Sequence, residues 1–240
     1  MSWIHSLRVP SWLAAGALLA ALGPAAAVTL VGHDLSAPLA PYDWQLPPGT
    51  DLTWNDAHDV RKAVGATVPL GEAYWFDSLS AGLVFMTGSD ADPTDRVAGG
   101  IHGDAGGRPG ALLASFVEQT LSQPDLAAQW VTFTASDPVL LHGGQTYWFV
   151  LGDATQNNVD SAFPFTHWTV PASRVAPGDG EGTLAGYRIS YDGGANWGSS
   201  GVANAVQIEV SAVPEPQAWA LMLGGLGFVA ARVRRRQTAG

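Results

Sequence analysis

Several groups of residues have the types and spacing that site chemistry requires. Asp90, Asp92, Asp95 and Asp104 flank a glycine-rich stretch, where carboxylates and backbone carbonyls could gather a calcium ion. Their spacing matches no EF-hand and lacks the glycine and glutamate of such a loop, so solvated loop acids are the expectation. Asp56, His58 and Asp59 offer imidazole beside carboxylate, a set suited to metal ligation or proton transfer. The remaining histidines of the body, His33, His102, His142 and His167, show no paired ligand spacing. No Gly-x-Ser-x-Gly elbow occurs, and Gly99, Gly100 and Gly103 are followed by neither a helix pattern nor a lysine for phosphate. No catalytic residue, resident metal or cofactor is therefore expected.

Tryptophan gives a different kind of signal. Trp44, Trp54, Trp75, Trp168 and Trp197 fall in or near turn-rich stretches, where exposed indoles could stack on sugar rings. Large rings more often cap a core. A carbohydrate-binding module for extracellular polysaccharide is thus the alternative to a purely structural body. A glycan hydrolase is less favoured, since it needs a pocket with two carboxylates about 5–10 Å apart.

Ser190-Tyr-Asp192-Gly-Gly194-Ala-Asn196-Trp197 resembles the Asp-box of sialidases and other propellers, Ser-x-Asp-x-Gly-x-x-Trp. In such a turn the aspartate accepts amides, glycines permit positive φ and the indole packs beneath the hairpin. Propellers carry one copy per blade, whereas one occurs here. A sialidase also needs an arginine cluster for its substrate carboxylate, and the body has only Arg61, Arg96, Arg108, Arg174 and Arg188. A structural hairpin is expected.

The elements that must hold these residues are strands. Only 13% of the chain is charged, while 29 Gly, 16 Pro and 10 Trp favour short strands joined by turns over helices. Strand patterns recur at residues 73–77, 83–87, 97–102, 112–118, 129–135, 146–152, 166–170, 185–191 and 205–211. Val206-Gln207-Ile208-Glu209-Val210 alternates apolar and polar, as in a half-buried strand. Tyr147-Trp148-Phe149-Val150-Leu151 is apolar throughout, as in a strand covered on both faces. The predicted fold is all-β, an antiparallel β-sandwich or jelly roll over 73–211. Residues 28–72 are expected to be irregular, open to inclusion in the sandwich, with at most one short helix near Asp56–Lys62.

Charge and cysteine narrow the function classes. Excluding both ends, the body has six basic residues against twenty acidic ones, a net charge of −14. Such a polyanion is repelled by nucleic acid. No cysteine is present, which removes thiol nucleophiles, disulfides and cysteine-held metal clusters.

The ends carry addresses. Residues 1–27 have the form of a signal peptide: a weakly basic start at His5 and Arg8, an apolar run from Trp12 to Leu22, Gly23-Pro24, and Ala25-Ala26-Ala27 for cleavage after Ala27. That run is too short to span hydrocarbon about 30 Å thick. The secretion translocon and signal peptidase are the implied partners. At residues 213–236, Pro214-Glu215-Pro216 precedes an apolar stretch from Ala218 to Ala231 and then Arg232, Arg234, Arg235 and Arg236. The prolines keep the motif out of helix and sheet interiors. A short transmembrane helix with a cytoplasmic arginine cluster would hold the motif at the outer face of the inner membrane.

This tail resembles the PEP-CTERM sorting signal: Pro214, Glu215 and Pro216, a helix with small residues such as Gly224, Gly225 and Gly227, and a basic terminus. The resemblance implies an exosortase-type membrane enzyme as processing partner. It also implies an inner-membrane precursor and delivery to the cell surface or extracellular matrix of a Gram-negative bacterium. The middle region is similar to choice-of-anchor β-sandwich modules, through Arg108-Pro109-Gly110, Ala111–Phe116 and Leu140–Val150. That likeness implies a fold and a location rather than a ligand.

Overall fold

Alternation sets the architecture. In β14 (Val206–Ala212) Val206, Ile208 and Val210 are buried while Gln207, Glu209 and Ser211 are not, so one face seals a core. The computed structural model describes residues 26–40, 60–87, 95–121, 127–153, 164–213, 223–225, 227–228 and 234. Its other strands are β1 (Ala27–Gly32), β2 (Arg61–Thr67), β3 (Ala73–Thr87), β4 (Asp95–Asp104), β5 (Pro109–Ser115), β6 (Gln119–Leu121), β7 (Gln129–Phe133), β8 (Leu140–His142), β9 (Thr146–Asp153), β10 (Pro164–Trp168), β11 (Gly178–Asp179), β12 (Thr183–Ser190) and β13 (Gly198–Ser199).

They form two antiparallel sheets that face one another. The first runs β10-β3-β14-β1-β11, with β7 and β8 also on β3; the second runs β13-β12-β2-β9-β4-β5, with β6 on β4. Leu79, Phe133, Ile208 and Val210 of the first sheet share one core with Val64, Ile101, Phe149 and Leu151 of the second. Phe76 lies tilted against Phe116 and Phe149, with ring centroids 5.9 and 5.6 Å away. The expected β-sandwich class agrees with this arrangement.

β9 is covered on both faces. Tyr147, Phe149 and Leu151 enter the main core, while Trp148 and Val150 point the other way and form a second cluster with Ala63 and Trp197. Gly65 makes room for the Trp148 ring, since a Cβ there would come within 2.9 Å of it.

Two expectations need correction. Residues 28–72 are not merely irregular: β1 pairs with β14, and β2 lies between β12 and β9 at the centre of the second sheet. Arg61 and Lys62 belong to β2 rather than to a helix; Asp56, His58 and Asp59 lie outside the described residues. The two strands expected at 73–77 and 83–87 are one, β3, because Ser80 is bonded to Thr132 and Gly82 admits Leu39 and Ala205 closely over its backbone.

Candidate functional site

The site singled out by sequence is the tail, and the fold places its root. β14 ends at Ala212, and the Val213 amide still donates to the Ala73 carbonyl at 3.0 Å. Pro214, Glu215 and Pro216 follow directly and lie outside the described residues, as do Arg232, Arg235 and Arg236. Beyond them, 223–225, 227–228 and 234 are helical, with Leu223 64% and Phe228 68% exposed. Among the described residues no helix is long and apolar enough to cross a membrane. The expected transmembrane helix over 218–231, and the expected N-terminal signal helix, fall largely or wholly outside them.

The chain enters beside the place where it leaves. Ala27 faces Ser211 across the β1–β14 ladder, and Val28 faces Val210. The N-terminal segment and the tail therefore attach at one end of the sandwich.

At the opposite end, the Asp-box residues form the expected hairpin between β12 and β13. Asp192 Oδ1 accepts the Asn196 amide at 2.8 Å and the Ser190 hydroxyl at 2.7 Å, while Oδ2 accepts the Asn196 side-chain amide at 2.7 Å. The Asn196 amide above all, then its side chain and Ser190, hold the Asp192 carboxyl down at about 2. Gly193 and Gly194 adopt φ of 69° and 91°, as this turn requires. Trp197 packs, half-buried, on the cluster of Ala63, Trp148 and Val150.

Only Asp104 of the calcium candidates has a described side chain. Asp90 and Asp92 lie outside the described residues, and Asp95 opens β4. Both Asp104 oxygens accept N–H donors: Trp148 Nε1 at 2.7 Å and Gly107 at 3.0 Å on Oδ1, with Gly106 and Gly107 at 3.1 Å on Oδ2. Burial by itself would raise this carboxyl, but Trp148 and the amides of Gly107, Gly106 and Arg108 hold it below the usual range. Asp104 is thus a turn cap facing donors rather than a cation. Among the described residues no group of three or more His, Cys, Asp or Glu is gathered as metal ligands would be.

The tryptophans separate. Trp44 and Trp54 lie outside the described residues. Trp168 is a correction: it is 4% exposed, its indole N–H donating to Ala205 at 2.7 Å, and a ring enclosed in the core cannot stack on a sugar. Trp75 is 42% exposed and points outward from the first sheet, since its neighbours Tyr74 and Phe76 point inward. Trp197 sits on the outer face of the second sheet. Among the described candidates, Trp75 and Trp197 therefore occupy opposite faces and do not make one platform.

Sequence reasoning missed one polar network. The Arg188 guanidinium lies 5.2 Å from the centre of the Trp148 ring, and its Nε donates to the Gly107 carbonyl at 2.7 Å. It closes the outer face of the second sheet over the same indole that Asp104 anchors. The doubly apolar run 147–151 signalled a covered strand, but nothing in the residue order identified the cover.

Comparison with known proteins reaches the tail alone. Residues 212–237 match the family model of the PEP-CTERM protein-sorting motif. No curated protein and no solved structure matches the chain, so the choice-of-anchor likeness of 73–211 gains no support from either.

Proposed function

Because the chain carries a PEP-CTERM protein-sorting motif, we propose that it is an exported, non-catalytic surface or extracellular-matrix protein whose tail is processed by an exosortase-type membrane enzyme. One observation carries this reading: the matched segment begins at Ala212, the last residue of the last strand, so the address is appended to a finished sandwich. Signal peptidase and the secretion translocon deliver the chain. The apolar run 218–231 holds the precursor in the inner membrane, and Arg232, Arg234, Arg235 and Arg236 fix its orientation, since cationic residues stay on the cytoplasmic side. The exposure of Leu223 and Phe228 supports this, because apolar helix surface without a protein cover suits lipid.

The absence of catalysis is supported by the state of the carboxylates. Asp104 and Asp192, both held below the ordinary range, are saturated by turn donors rather than turned toward a substrate. The placement of Trp75 and Trp197 on opposite faces supports sorting and display over a polysaccharide-binding platform.

The test is replacement of Pro214, Glu215 and Pro216 by alanine, followed by cell fractionation and mass spectrometry of the mature C-terminus. The variant is expected to accumulate uncut in the inner membrane. Surface delivery at the wild-type level would remove the reading.

A further inference from the structure

The end of the sandwich where the chain enters and leaves has its own surface. Ala27 lies opposite Ser211, and Val213 is bonded to Ala73. Ala73 in turn faces His142, so the turn from β2 to β3 and the turn from β8 to β9 lie at this same end. The first turn is closed by Glu72 N–H on the Pro69 carbonyl and by the positive φ of Gly71, 89°. At its tip Leu70 is 89% exposed, well above every other described large apolar residue. Two residues into β3, Trp75 projects from the outer face of the first sheet, opposite Ser211.

The length of the tail limits which part of the sandwich can meet a membrane. Only residues 214–217 separate Val213 from the start of the apolar run at Ala218. Five fully extended steps reach at most about 17 Å. The seven residues of β14 span about 23 Å in the opposite direction. The tether is shorter than the strand it follows, so with the apolar run in the bilayer the Ala27–Ala212 end is held within about 17 Å of the lipid. The signal segment is tied to that same end.

We infer that the membrane-held precursor stands on the bilayer by this end, with Leu70 and Trp75 seated in the lipid interface and the Asp-box hairpin facing away. This rests on the reading of 218–231 as a membrane segment. Indole rings suit the headgroup level, with an apolar body and a polar N–H. Charge does not drive the contact. Glu72 and Glu181 both raise the Tyr74 hydroxyl, after the larger effect of its burial, so this end carries negative potential and is repelled by anionic headgroups. The attachment is apolar, and salt, by screening this repulsion, does not loosen it.

The absence of cysteine allows a direct test, because a single introduced thiol is the only one in the chain. Leu70→Cys, Val175→Cys and Leu223→Cys are each spin-labelled in the full chain and reconstituted into vesicles of phosphatidylethanolamine and phosphatidylglycerol. Position 70 is an exposed tip, and position 175 lies at the far end, where its carbonyl meets His33. The ratio of oxygen accessibility to aqueous nickel-chelate accessibility is expected to be severalfold higher at 70 than at 175, and no lower at high salt than at low salt. A lipid-shielded label at 223 with position 70 as aqueous as 175 would overturn the standing face and leave the anchoring reading intact. Failure of the protein to float with the vesicles, with the 223 label aqueous, would overturn both.

Discussion

The indole N–H of Trp148 and the carboxylate of Asp104, 44 residues apart in sequence, are joined by a 2.7 Å hydrogen bond. The ring itself is fully buried. Asp104 thus acts twice, capping the glycine turn at 105–108 and satisfying the one polar atom of the largest side chain on the outer side of β9.

Replacement of Asp104 by alanine strands that N–H without an acceptor. Leaving a buried donor unpaired costs about 1–3 kcal/mol, and the lost turn cap adds to it. A destabilisation of about 2–3 kcal/mol is expected in urea unfolding followed by tryptophan fluorescence. Asp104→Asn keeps an acceptor and should recover part of the loss. An unchanged midpoint for the alanine variant would remove the anchoring role.

Lys62 shares a face of β2 with Val64 and Ala66, between the sheets, and its amine reaches only the Trp168 carbonyl at 3.4 Å. Burial lowers its pKa from 10.5 to about 8. The folded value lies below the unfolded one, so between these limits the unfolded chain binds more protons and stability rises with pH. Below pH 8 the full cost of the charge remains. Lys62→Met should therefore stabilise the domain at pH 7, by about 2 kcal/mol after allowance for screening at a half-buried amine. It should also flatten the stability profile between pH 8 and 10.5. A variant less stable than wild type at neutral pH would contradict this account.

The hairpin at Asp192 should behave in the opposite sense. Its folded pKa of about 2 lies below the ordinary 3.8, so the stabilisation is present above pH 4 and fades as pH falls toward 2. Protection of the Asn196 amide relative to its intrinsic exchange rate, its N–H being bonded to Asp192, should fall over that window while core amides of β9 stay protected. In Asp192→Ala this loss of protection should already be present at neutral pH. Equal protection at pH 5 and pH 2.5 would count against the carboxylate as the hairpin's clasp.

Two glycines of β4 separate close packing from free space. A Cβ on Gly99 would collide with the Val150 carbonyl oxygen of β9, whereas one on Gly103 meets nothing within 4 Å. Gly99→Ala should destabilise by about 3 kcal/mol or more, and Gly103→Ala should stay within about 0.5 kcal/mol of wild type. Thermal melts of the pair provide the comparison, and similar values would show that β4 and β9 are not packed as described.

Much of the fold could be anticipated where local pattern and burial agree. β9 and β14 were legible because alternation in the one, Val206–Val210, and its absence in the other, Tyr147–Leu151, states how many faces are covered. β2 was not, because Arg61 and Lys62 at its start and Gly65 within it break the pattern; its central place depends on Gly65 receiving the Trp148 ring from β9. β3 appeared as two strands because Ser78, Ser80 and Gly82 look like a break, yet β7 closes on Ser80, and Leu39 and Ala205 close on Gly82.

The tail shows the same division. Residue order alone settled the protein-sorting motif, since a rigid Pro-Glu-Pro, an apolar run and an arginine cluster act as a linear signal that needs no partner elsewhere in the chain. It also settled the strand-rich class and the Asp-box turn, whose hydrogen bonds close within eight residues. Folding alone decided which of the described tryptophans stay accessible, where Asp104 spends its lone pairs, and that the start of β1 and the sorting tail root side by side. Each of those depends on strands far apart in sequence meeting across a sheet, and such pairing is chosen by the whole core rather than by any one segment.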